Sequence, residues 1–119
     1  MENSEELTAV NPMKAYLIDP FKSEVTEVEY DGNYESIYAH IHCETFDVVR
    51  IGEGDVIYID DEGLLKAENP LNGQRWFAFN GYPLAGYGLV LGTDENGESI
   101  APVSPFEWVK SMVTFQTVH

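Results

Sequence analysis

Hydrophobic and polar residues alternate from residue 13 onward. Lys14 to Asp19 (KAYLID) alternates and is rich in strand formers, and Pro20 stops it. Glu24 to Tyr30 (EVTEVEY) alternates again, so the two stretches, joined by Pro20 to Ser23, predict a hairpin. The period then lengthens. Tyr34, Ile37, Tyr38 and Ile41 fall at i, i+3, i+4 and i+7, the apolar stripe of a helix lying on a sheet, with Asp31 or Asn33 as its cap. This predicts a helix over about residues 33–43, ending near Cys43.

Phe46 to Ile51 and Asp55 to Asp60 read as strands linked through Gly52-Glu53-Gly54, a link suited to a hairpin. Asp60 to Gly63 is a turn, Leu64 and Leu65 suggest a short return strand, and Asn69 to Gly73 is a loop. Trp76 to Phe79 is a strand, followed by a connection rich in glycine through Gly81, Pro83, Gly86 and Gly88. Tyr87 to Gly92 is an unbroken apolar run, the mark of a buried strand. Asp94 to Glu98 turns around Asn96-Gly97 into a short strand at Ile100 to Val103. Ser104-Pro105-Phe106-Glu107 predicts a capping box with Pro at the first helical position. The helix it opens, about residues 105–112, buries Phe106, Val109, Met112 and Val113 on one side, and Val113 to Val118 adds an edge strand. The elements sum to an α+β domain: a mainly antiparallel sheet carrying two helices, with Ile37, Ile41, Val49, Ile57, Leu89 and Val109 in the core. Residues 1–12 read as an acidic, flexible lead-in to a single domain at 13–119.

Charge narrows the function. The chain of 119 residues has 21 acidic and 6 basic residues, a net charge of −15. Sixteen of the acids and three of the bases precede residue 63, so the imbalance is concentrated in one half. Such a surface repels nucleic acids and anionic membranes and attracts basic partners. At 44 % hydrophobic residues the chain has the apolar content to fold. One cysteine excludes an internal disulfide framework and suits a reducing compartment. The first twelve residues lack the basic and apolar regions of a signal peptide, and no apolar run reaches the ~20 residues of a membrane helix. A cytoplasmic location is expected.

Chemistry is sparse. His40, His42, Cys43 and Glu44 are metal-ligand types, but His40 and Glu44 share a helix face while His42 points elsewhere, so no metal site is expected. Cys43 as a nucleophile would need a base and a lowered pKa, and the adjacent Glu44 opposes that. The turns Asp94 to Glu98 and Asp60 to Glu62 lack the ligand spacing of a calcium loop. Gly81, Gly86, Gly88 and Gly92 match no phosphate loop and have no basic residue to face a phosphate. No catalytic residue and no cofactor is expected. The aromatic group Trp76, Phe77, Phe79, Tyr82 and Tyr87 exceeds what one sheet face hides, because neighbours on a strand point oppositely. Two arrangements account for it: a second layer supplied by the C-terminal helix with Trp108, or a partner surface with Arg75 alongside.

MKAYLIDP at 13–20, VTEVEY at 25–30, DVIYIDDEGLL at 55–65, YGLVLGTDENGES at 87–99 and EWVKSMVTF at 107–115 together resemble a family of small phage, prophage and plasmid accessory proteins carried as a domain of unknown function. The resemblance spans roughly residues 13–115 and implies no catalytic residue. It implies an accessory protein working in an infected bacterium. Joined to the charge, it leads to the expectation of a non-catalytic inhibitor of a basic host protein that handles nucleic acid, by mimicry of nucleic acid or in an anti-defence role. Its contacts would be carboxylates from 24–35, 44–47 and 53–62, among them Glu24, Glu27, Glu29, Glu53, Asp55, Asp60, Asp61 and Glu62, together with Trp76 and Tyr82. The alternative is a binder of a nucleotide-like small molecule at residues 75–88, and a hydrolase using His40 or Cys43 is a third reading. Self-association as a homodimer is left open.

Overall fold

The computed structural model describes residues 12–43, 45–52, 54–61 and 75–115. Eleven elements run in the order β1 (Met13–Asp19), β2 (Glu24–Tyr30), α1 (Glu35–Ile41), β3 (Phe46–Arg50), β4 (Asp55–Asp60), β5 (Trp76–Phe79), β6 (Tyr82–Ala85), β7 (Gly88–Thr93), β8 (Ser99–Ile100), α2 (Phe106–Met112) and β9 (Val113–Phe115). Among the described residues every strand pair is antiparallel and there are two helices, so the fold is α+β with mainly antiparallel sheets, as the periodicities predict. Among the described residues the strands form two sheets rather than one. A six-stranded sheet has the order β2-β1-β7-β4-β3 with β8 beside β7, and a three-stranded sheet has the order β6-β5-β9.

Alternation fixes which face each side chain takes. One face of the large sheet presents Ala15, Tyr30, Leu89 and Leu91 to Ile37 and Ile41 of α1. The opposite face presents Tyr16, Ile18, Ile57 and Val90 to Phe77, Phe79 and Leu84 of the small sheet and to Val109 of α2. The central strand β7 is therefore covered on both sides, which is why its sequence is an unbroken apolar run rather than an alternating one. Gly88 permits that packing: a Cβ there would stand 2.9 Å from Ile57 Cγ2 and 2.9 Å from Phe77 Cζ.

The turns use side-chain carboxylates. Asp19 Oδ1 accepts from the amides of Phe21 (2.9 Å) and Lys22 (3.1 Å), closing the β1–β2 hairpin. Asn33 Oδ1 accepts from the Glu35 amide at 3.0 Å, while Asp31 accepts from the Asn33 amide and the Ser36 hydroxyl at 2.9 and 2.7 Å. Asp31 and Asn33 thus share the start of α1, with Tyr34 in the formal cap position and making no side-chain cap bond. The hydrogen bond from the Asn33 amide, then that from Ser36, holds the Asp31 carboxyl below its ordinary pKa.

Several expectations are corrected. Tyr34 is 60 % exposed, so the buried stripe of α1 is narrower than its period suggests. Val49 is half-buried and lies at the margin of the core. The capping box at Ser104 does not form: Pro105 occupies the cap position with no side-chain cap bond, and the Ser104 amide that Glu107 would have taken donates to Asp55 instead. The glycine-rich connection contains a strand, β6, joined to β5 by Asn80-Gly81, both with positive φ (52° and 84°). Pro83 fits there because β6 is an edge strand. Of the strand predicted at Ile100 to Val103, only Ile100 pairs, together with Ser99 before it. The lead-in up to Asn11, the return strand at Leu64 and Leu65, the loop at Asn69 to Gly73 and the end of the last strand lie outside the described residues.

Burial gives the domain an alkaline limit. Tyr30 is fully buried, and burial, then the neighbouring Tyr58 and Asp31, pushes its pKa up to about 12. The folded state therefore holds the proton that an unfolded tyrosine releases near pH 10. Stability from this group is complete below pH 10 and is lost as pH rises from 10 through 12. Urea midpoints should fall over that window, and Tyr30→Phe should flatten the fall. An identical alkaline decline in Tyr30→Phe would show that another group controls it.

Candidate functional site

The acidic residues divide into three groups by position. Glu24, Glu27 and Glu29 are exposed on β2, an edge of the large sheet. Glu27 and Glu29 share one face about 7 Å apart, and Glu24 points to the other. The Lys14 ammonium stands 3.8 Å from Glu27, and with both side chains about half exposed this contact contributes little and leaves the edge negative. Asp47 and Asp61 are exposed at the opposite edge, where the Thr45 hydroxyl donates to Asp61. Four strand intervals of about 4.8 Å separate the two edges, so the carboxylates do not form one continuous row. Glu53 and Glu62 lie outside the described residues.

Asp55 corrects the expectation of a partner contact. Asp55 is 1 % exposed and accepts from the amides of Val103 (2.9 Å) and Ser104 (2.8 Å). It anchors the segment entering α2, and the Tyr16 hydroxyl donates to the Ser104 carbonyl at 2.8 Å beside it. A charge so placed is internal architecture. Asp60, 6 % exposed, is among the residues that line a hollow of about 170 Å³, with Asp47, Asp61, Val49, Tyr82 and Leu84.

The aromatic group splits. Phe77 and Phe79 face inward, and the Trp108 ring meets Phe79 edge-on at 5.8 Å, so the C-terminal helix does supply a covering layer. Trp76 and Tyr82 are not brought together. Trp76 pairs with Ala85 and Phe79 with Tyr82, which puts them at opposite ends and on opposite faces of the β5–β6 hairpin. Trp76 borders a shallow apolar hollow of about 360 Å³ with Pro83 and Phe115. Tyr82, 61 % exposed, borders an open groove of about 400 Å³ with Val49, Arg50, Ile51, Phe79, Asn80, Leu84, Trp108 and Met112. This groove lies between the edge strand β3, the hairpin and α2, and it shares Val49, Tyr82 and Leu84 with the acidic hollow. Its tyrosine and tryptophan are residue types that dominate binding energy at interfaces. Arg50 was missed by sequence reasoning. Trp108 carried a readable signal, since it falls off the Phe106, Val109, Met112 stripe of its helix.

His40, His42 and Cys43 are not gathered at the groove or at the two hollows. His42 ends α1 in the left-handed region (φ 57°) and its ring stacks on Tyr87 at 4.5 Å. His40 and Cys43 line neither the groove nor the two hollows. Among the described residues no three His, Cys, Asp or Glu side chains converge as metal ligands, and no helix is long and apolar enough to cross a membrane.

The geometry thus defines a small α+β domain with acidic edges and an aromatic groove. Residues 13–114 match the model of DUF3846, a domain of unknown function, and the chain belongs to that family. No curated protein and no solved structure matches it significantly.

Proposed function

We propose that this protein is a non-catalytic accessory protein of phage type that binds and inhibits a basic, nucleic-acid-handling protein in the cytoplasm of a bacterial host. The carrying observation is the net negative β2 edge: three exposed glutamates, with half-exposed Lys14 3.8 Å from Glu27 and Lys22 in the adjoining turn. In a chain of net charge −15 this edge projects a field that speeds encounter with a cationic surface. Competition with the partner's phosphate ligand follows from the shared charge sign. The rival reading is a nucleotide-like ligand at residues 75–88 with its base stacked on Trp76 or Tyr82; these side chains lie on opposite faces of their hairpin, so such a ligand would use one of them and not both.

Affinity capture from bacterial lysate at low and high salt supplies the partner, and binding kinetics then test the reading. Association should slow steeply with salt, since exposed charges are screened beyond about 8 Å at physiological ionic strength. Glu24→Lys, Glu27→Lys and Glu29→Lys combined should reduce the association rate more than they raise the dissociation rate, because rim charges steer encounter. A complex indifferent both to salt and to the triple reversal would sink the proposal.

A further inference from the structure

We infer that the outer edge of β3 and the cavities beside it dock an extended, cationic segment of the partner, which joins the large sheet as an added strand; this rests on the reading that the partner is basic. The backbone makes the first half of the argument. Ile51 donates its amide to the Asp55 carbonyl at 3.1 Å, and Asp61 donates to the Thr45 carbonyl at 3.3 Å. Antiparallel ladders alternate, so the odd-numbered residues of β3 bond to β4, and Phe46, Val48 and Arg50 turn their amides and carbonyls outward. Among the described residues no strand pairs with that side. Val48 at its centre is 42 % exposed, an apolar side chain on an open edge. The one outward amide with a partner is that of Val48, held by the Asp47 carboxylate at 2.8 Å. An arriving backbone carbonyl can take over that amide, leaving Asp47 to pair with a cation.

The cavities make the second half. Side chains two apart on an added strand are about 7 Å apart on one face. The acidic hollow and the apolar groove share a wall, so adjacent same-face positions can fill them in turn. The hollow, with Asp47 and Asp61, takes a lysine or arginine. The groove, with Trp108 and Met112, takes an apolar residue. The β2 edge is also acidic, but the hollow beside it, lined by Lys14, Glu27 and Glu29 among others, lacks an aromatic anchor. A second copy of this chain is the wrong occupant, because each copy carries −15. Adding a strand to an exposed edge, with main-chain bonds for affinity and alternate pockets for specificity, is an established physical mode of peptide recognition.

The test is an amide-shift titration of the full chain with the peptide acetyl-Val-Lys-Thr-Leu-Thr-amide. The Phe46, Val48 and Arg50 amides and the Trp108 indole should shift. N-methylation of the peptide backbone, or Val48→Pro, should abolish the effect; proline is tolerated on an edge where the lost amide points outward. Trp108→Ala, and replacement of the peptide's Lys by Thr, should each weaken binding about ten-fold. Shifts confined to Glu24–Glu29 would overturn the docking edge and leave the basic-partner reading standing. Indifference to N-methylation or to Val48→Pro, or no shift with this peptide while the whole partner still binds in a salt-dependent way, would likewise overturn the docking edge alone. A dimer in sedimentation that Val48→Pro makes monomeric would assign the edge to a second copy and overturn it too. Loss of salt dependence with the whole partner would instead remove the reading beneath it.

Discussion

Asp55→Ala is expected to destabilise the domain by about 2–4 kcal/mol, because it orphans two amides that a buried carboxylate now satisfies. Val103 and Ser104 donate to separate oxygens of Asp55 at 2.9 and 2.8 Å, a span of 48 and 49 residues along the chain. These bonds tie β4 to the segment that enters α2, and α2 has no side-chain cap of its own. Space around the carboxylate is tight: a Cβ at Gly92 would stand 2.6 Å from the Ala101 carbonyl and 3.2 Å from Asp55 Oδ1. Loss of Asp55 should therefore loosen α2 and, with it, the wall of the groove that holds Trp108 and Met112. Urea unfolding measures the stability, and hydrogen exchange at Val109 measures the loosening of the helix. A loss below about 0.5 kcal/mol, the scale of an ordinary surface change, would show that the two amides find other acceptors.

Asp55 also marks where sequence reading runs out. In DVIYID it looks like one more acid in an acidic half, and nothing local shows that its acceptors' partners lie beyond residue 100. Patterns that depend on near neighbours were legible: the alternation of β1 and β2, the Ile37–Ile41 stripe and the apolar run of β7 all correspond to observed elements. Asn80-Gly81 was legible in principle, since Asn-Gly is the strongest short hairpin signal. The density of glycines around it concealed the strand that follows. The second sheet was not readable, because it depends on Phe77 packing over Gly88, eleven residues away in sequence and on another sheet. The groove was unreadable for the same reason. Val49 and Arg50 acquire their role only when a hairpin and a helix from the C-terminal half close over the edge of β3.

The helix α1 offers a contrast between two positions of one predicted stripe. Ile37→Ala is expected to cost about 2–5 kcal/mol and Tyr34→Ala less than about 0.5 kcal/mol. Ile37 is fully buried against Ala15, Leu89 and Leu91, with Ile41 one turn on. Ala15 is the small residue that lets the helix lie close to the sheet, so the neighbours of Ile37 have little freedom to collapse into a vacated volume. Tyr34 stands one turn earlier, 60 % exposed, touching Tyr38 edge-on at 6.4 Å. Its ring has solvent on most sides and removes little apolar surface from water. The two substitutions should therefore separate by several degrees in melting temperature, since about 1 kcal/mol moves a domain of this size by roughly 4–8 °C. Equal shifts from both would place Tyr34 in the core and rotate α1 about its axis relative to the sheet.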